Sequence, residues 1–184
     1  MTDNPLLDFS GLPRFADIGP AHVGPAIDLL LTDCRDTVAR VASDPHAIGW
    51  DEFVAPIEDA NERLSRAWGV VSHLHAVKDS PELRDAYNAN LPRVTEYWTD
   101  LGQNLALFGK YKALRASPEF ARLTPARQRI VDNEIRDFRL SGAELPDTEK
   151  ARFKEIAEEQ AALGSKFSEN LLDATNAFSL VIEE

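Results

Sequence analysis

Apolar residues recur at spacings of three and four along most of this chain, the period of an amphipathic helix. The first twenty residues are the exception. Pro5, Gly11, Pro13, Gly19 and Pro20 break any regular period there. Leu6, Leu7, Phe9, Leu12, Phe15 and Ile18 nevertheless give this irregular arm an apolar side to pack. Val23, Ile27, Leu30, Leu31, Cys34, Val38 and Val41 then predict a first helix. Asp44-Pro45 should end it, because the residue before a proline avoids the helical region. A second helix is expected from about residue 51 to residue 75, with Phe53, Ile57, Ala60, Leu64, Trp68 and Val71 as its stripe and Pro56 tolerated in its first turns.

Ser80-Pro81-Glu82 combines a capping hydroxyl, a proline suited to the first helical position and a carboxylate suited to the positive helix end. It predicts a third helix with the stripe Leu83, Tyr87, Leu91, Val94, Trp98, Leu101, Leu105 and Phe108, kinked or split at Pro92. A short helix is expected over residues 110–115. Ser117-Pro118-Glu119 and Thr124-Pro125 repeat the capping chemistry, and a helix over residues 125–141 should stop at Gly142. The longest pattern follows Pro146: Phe153, Ala157, Gln160, Leu163, Phe167, Leu171, Ala174 and Phe178. Phe178–Ile182 then turns strand-like, and nothing upstream offers it a partner strand. The expected fold is therefore all-α: long, antiparallel, amphipathic helices in a bundle-like array at shallow crossing angles, with a short strand-like C-terminal tail. It divides into an arm (1–20), a helical domain (21–178) and the start of an element whose partner is missing (179–184). That last segment makes the chain look cut from a longer protein.

Charge narrows the function. Twenty Lys and Arg against 31 Asp and Glu give a net charge of −11, which leaves no basic face for nucleic acid or for a membrane surface. No run approaches the roughly 20 apolar residues that span a bilayer. The acidic start is unlike a secretory leader, and the single cysteine excludes an internal disulfide, so a cytoplasmic setting is expected.

The candidate chemistry is sparse. No two of His22, His46, His73 and His75 stand four apart, no His-Glu dipeptide exists, and no glutamate lies three residues before a histidine. His73 and His75 point to different faces if helical, so a shared metal would need a loop or strand. Cys34 reads as a buried thiol, and Glu158-Glu159 and Asp51-Glu52 as solvated surface. Trp68, Tyr87, Trp98 and Phe167 read as core. Arg127, Arg129, Arg136 and Arg139 are expected to pair with Asp132, Glu134 and Asp137. No catalytic, cofactor-binding or metal residue is assigned. From these residues alone the chain reads as a soluble α-helical domain with no catalytic apparatus of its own, either incomplete or a free-standing helical interaction scaffold. A third, weaker reading is a metal hydrolase using His73 and His75.

Four collinear segments carry a resemblance. N-P-L-L at residues 4–7 with L-P-R-F-A-D-I-G-P-A-H-V-G-P-A-I at 12–27, V-S-H-L-H-A-V-K-D-S-P-E-L-R-D-A-Y at 71–87, V-D-N-E-I-R-D-F-R-L-S-G-A-E-L-P at 131–146 and F-S-E-N-L-L-D-A-T-N-A-F at 167–178 resemble the amino-terminal region of the thimet-oligopeptidase family of zinc metallopeptidases. The resemblance implies a longer parent that cuts short peptides in a deep channel between helical halves. Its zinc would sit on an H-E-x-x-H helix and a downstream glutamate, all beyond Glu184. This chain would wall the channel and restrict substrate size. Its partners would be the C-terminal catalytic region of the same polypeptide and short peptide substrates. A chain of this length on its own should be inactive, and its unpartnered stripes should make it self-associate.

Overall fold

The computed structural model describes residues 4–181, and they fold as the expected all-α array. The arm is pinned first. Asn4 accepts from the Leu6 amide (3.0 Å), closing a 3-10 turn at Pro5–Leu7, and its own amide donates to the His22 carbonyl (2.9 Å). Leu6 and Ile18 are buried, whereas Leu12 at the arm's tip stands in solvent. Helix α1 (Pro20–Ser43) starts without a capping side chain at Gly19. The Gly19 amide instead donates to Nδ1 of His22 (3.0 Å), so this histidine closes the helix start. The helix ends where Asp44-Pro45 was expected to end it.

A turn of π-helix at Trp50–Val54 leads directly into α2 (Ala55–Val77). The Trp50 amide donates to the Glu119 carboxylate (2.8 Å), which ties this turn to a distant part of the chain. Helix α3 (Pro81–Gly102) begins at Ser80, whose hydroxyl accepts from the Leu83 amide (3.2 Å). It runs unbroken through Pro92, so the expected split there does not occur. A proline inside a helix removes one amide donor, and here the flanking turns and the packing of α3 on α1 and α6 hold the helix together.

The actual break comes at Gln103 and Asn104. The Asn104 side chain accepts from the amides of Ala106 and Leu107 (3.1 Å each) and starts α4 (Leu105–Ala116). Leu105 and Phe108 thus belong to α4 rather than to the third stripe, and the short helix expected at 110–115 starts earlier, at Leu105. A 3-10 turn at Phe120–Arg122 precedes α5 (Pro125–Leu140), capped by Thr124. Its C-terminus is a Schellman motif: the Ala143 amide reaches the Phe138 carbonyl (2.9 Å), the Gly142 amide reaches Arg139 (3.1 Å), and Gly142 takes φ +83°. Helix α6 (Asp147–Ala177) is the longest, about 46 Å at the helical rise. Phe178 is extended, but no strand forms among the described residues, and Phe178, Leu180 and Val181 are exposed. Ile182, Glu183 and Glu184, like Met1 to Asp3, lie outside the described residues.

Two cores result. One joins the first half of α1 (Val23, Ile27, Leu31) mainly to the second half of α2 (Ala67, Val71, Leu74) and to α3 (Leu83, Val94, Tyr97). The other joins the end of α1 (Val41) to the start of α2 (Ile57), the π turn (Phe53, Val54), α4 and α5. Opposite ends of α1 and α2 meet in each core, so the two helices run antiparallel. Cys34 lies within the first core, its thiol donating to the Ala60 carbonyl (3.4 Å), and burial pushes it above the usual thiol range, as an inert thiol requires.

Candidate functional site

Helix α6 packs chiefly on α3, with most of its large apolar residues left out of the contact. The half-buried face comprises Ala157, Ala161, Ser165, Glu169 and Leu172 with Phe153 at its start, a row mostly four apart that lets the helices approach closely. Polar contacts fix the register. Arg84 holds Asp173 through two hydrogen bonds (2.7 and 2.9 Å) and Asp79 through its Nε (2.8 Å), which raises the Arg84 pKa and lowers that of Asp173. Asn88 donates to Glu169 (2.7 Å), and Lys154 reaches Glu96 (2.8 Å) and Asp100 (3.3 Å).

From Gln160 onward the expected stripe is left outside, whereas Phe153 and Ala157 at its start are half-buried. Leu163 and Leu171 are each 60% exposed, Phe167 is 70% exposed, and no residue of α6 is fully buried. Phe167 therefore is not core, and Trp98 is also exposed; Trp68 and Tyr87 do pack against the first core. The periodicity marked a face that wants burial, and α3 takes the neighbouring face instead.

Between α2, α3 and α6 lies a groove of about 650 Å³. His75 forms part of its wall, buried and stacked flat on Tyr87 (centroids 4.2 Å), which stacks in turn on Trp68 (4.8 Å). Its Nε2 lies 3.6 Å from the Glu169 carboxylate and makes no hydrogen bond among the described residues. His73 points elsewhere, its ring edge-on to Phe15 (5.5 Å). His22 caps α1, and His46 is exposed in the turn after α1. The structure therefore brings no two histidines together, and no group of three or more His, Cys, Asp or Glu among the described residues could hold a metal ion.

The arginines of α5 fan out. Arg136 pairs with Asp137 (2.8 Å) as expected, but Arg127 covers the Trp50 ring (4.7 Å), Arg139 lies 3.8 Å from Glu144, and Asp132 is taken by Arg115 (2.6 Å). Glu134 makes no ion pair among the described residues. It turns inward with Glu58 onto a second cavity, between α2, α3, α4 and α5. The spacing of Glu134 from Val131 and Phe138, three and four residues, places it on the buried stripe; this was the signal available in the sequence.

Burial first, and then repulsion from Glu58 and Asp137, push the Glu134 carboxyl from 4.5 up to about 7. The folded chain holds this proton over a range where the unfolded chain releases it. Stability is therefore expected to fall as the pH rises from about 4.5 to about 7, by ~1–3 kcal/mol for this one group. Glu134→Gln should remove most of that loss and stabilise the chain at pH 8. Urea unfolding of both proteins at pH 5 and pH 8 measures it, and equal slopes would show that Glu134 is solvated.

Residues 27–150 match the family described as Neurolysin/Thimet oligopeptidase, N-terminal domain. The chain belongs to this family. It is 44% identical over 180 residues to oligopeptidase A of Haemophilus influenzae, covering 98% of this chain and 26% of the relative. Oligopeptidase A of Escherichia coli is 41% identical over 181 residues, 98% of this chain and 27% of the relative. The probable cytosolic oligopeptidase A of Arabidopsis thaliana is 38% identical over 186 residues, all of this chain and 26% of the relative. The chain thus spans about a quarter of the length of these curated relatives, and it corresponds to their amino-terminal part.

Proposed function

We propose that this chain is the amino-terminal helical part of a zinc-dependent oligopeptidase that degrades short peptides in the cytoplasm. Membership of the family and the match to a quarter of each oligopeptidase A support this reading. The observation that carries its structural side is the exposed stripe Leu163, Phe167 and Leu171 on α6. The arm (1–20) and the helical domain (21–178) then serve as a wall, and the segment from 179 onward leads toward the catalytic region of the same polypeptide. The stripe is the seam between the two.

The zinc expected of such an enzyme finds no seat in these residues. Histidines four apart are missing from the sequence, and the described residues gather no three suitable ligands. No step of the reaction is assigned to this chain. Its contribution is shape: a stiff wall of long helices excludes folded proteins, and confinement lowers the cost of positioning a flexible peptide.

The test separates wall from seam. The 184-residue chain with added zinc should not cleave an internally quenched peptide, whereas the intact polypeptide should. Leu163→Ser, Phe167→Ser and Leu171→Ser together should leave the melting of the isolated chain nearly unchanged and abolish its self-association in sedimentation. In the intact polypeptide they should lower stability by several kcal/mol, since burying each such side chain is worth about 1.5–3 kcal/mol. Chelator-sensitive cleavage by the isolated chain, or a harmless triple substitution in the intact polypeptide, would overturn the reading.

A further inference from the structure

We propose that the groove between α2, α3 and α6 seats one further helix of the same polypeptide, from beyond residue 184, and that this helix supplies the hydrogen bond His75 lacks. The inference rests on the reading of α6 as a seam and deepens it by naming the seat and the chemistry of what fills it.

His75 is the first observation. It is 7% exposed, its ring is held flat on Tyr87, and its Nε2 is buried without a hydrogen bond. Buried polar groups are normally paired. The Glu169 carboxylate, 3.6 Å away, is taken by the Asn88 amide (2.7 Å). Oδ1 of Asp79 is also unpaired, but that carboxylate is held by Arg84 through its other oxygen (2.6 Å). His75 stands in the groove wall, so the group that completes it comes from the groove side.

The shape of the groove is the second, independent observation. Small side chains one turn apart line both banks, Ser72 and Ala76 on α2 and Gly164 and Ser168 on α6. A Cβ on Gly164 would meet no atom within 4 Å, so the space above it is open. Such a pair of banks lets a third helix approach closely. The groove follows α6 from Gln160 to Thr175, about 22 Å or four turns at the helical rise. A strand laid there would face helices whose own backbone groups are paired, whereas a helix satisfies its own.

Three facts select the occupant. The chain spans about a quarter of the length of its relatives, which leaves ample polypeptide to fill the seat. Leu171 belongs both to the exposed stripe and to the groove, so an element lying on the seam also enters the groove. A second copy would bring its own net charge of −11 against this one. The incoming face is apolar and carries one hydroxyl or amide for Nε2, because a carboxylate there would be repelled by Glu169.

The test is thiol labelling of the intact polypeptide, read site by site by peptide mass mapping. Ala76→Cys on α2, Leu163→Cys on the stripe and Asp36→Cys on α1 are made singly, all at positions exposed in this chain. Ala76→Cys and Leu163→Cys should react at least tenfold more slowly than Asp36→Cys. His75→Phe keeps a ring on Tyr87 and removes Nε2. It should speed labelling of Ala76→Cys about fivefold, the size of one hydrogen bond. A reactive Ala76→Cys beside a protected Leu163→Cys would overturn the seat and leave the seam standing, and both reactive would overturn the seam as well. No effect of His75→Phe would overturn the proposal, as would protection that grows with protein concentration, which gives the groove to a second copy.

Discussion

Replacing Gly142 by valine is expected to destabilise the chain by roughly 3 kcal/mol. The estimate has two parts. Gly142 sits at φ +83°, where an ordinary residue costs about 1–2 kcal/mol and a β-branched one more. A Cβ there would also lie 2.7 Å from Cδ1 of Leu145, so that side chain must move aside. The damage falls on the Schellman motif that ends α5 and sets the direction of α6. Gly142→Asn should cost much less, because asparagine tolerates this conformation. Urea midpoints for the two variants measure the difference; equal costs would show that the clash, not the backbone conformation, dominates.

Phe108→Ala should cost about 3–5 kcal/mol, the range for deleting a buried aromatic ring. Phe108 is 1% exposed, packs on Phe138 (centroids 5.5 Å) and carries the Lys112 ammonium over its ring (4.0 Å). The matching substitution Phe167→Ala on α6 should stay within about 0.5 kcal/mol in the monomeric chain, since that ring is 70% exposed. The two phenylalanines lie on stripes of the same period, so the contrast isolates burial from pattern. Thermal or urea unfolding at low protein concentration decides it. A Phe167→Ala loss as large as that of Phe108→Ala would mean that α6 packs its stripe inward.

Much of the fold was legible because helix starts carry local chemistry. Ser80-Pro81 and Thr124-Pro125 place their helices to the residue, since a hydroxyl cap and a proline act on the nearest turn alone. The break between α3 and α4 was not legible, because Leu101, Leu105 and Phe108 keep the helical spacing across it. What decides there is the Asn104 side chain capturing two amides, which offers the backbone a competing partner. The π turn at Trp50 is set by Glu119, a residue remote in sequence, and no local rule reports it. The same holds for the acidic cavity. Glu134 stands visibly on an apolar stripe, but its convergence with Glu58 and Tyr111 is a product of packing. On α6 the period picks out Leu163, Phe167 and Leu171, which stand exposed, while a neighbouring row packs on α3.

Helices α1 and α2 thread through both packed regions, and Leu101 touches each. Neither region is built without them. A loss suffered at one end is carried by the same two rods to the other, so the molecule melts as a unit instead of shedding one half. An element mounted on such a frame inherits its rigidity, and α6, anchored along α3, is held at a fixed angle without a core of its own.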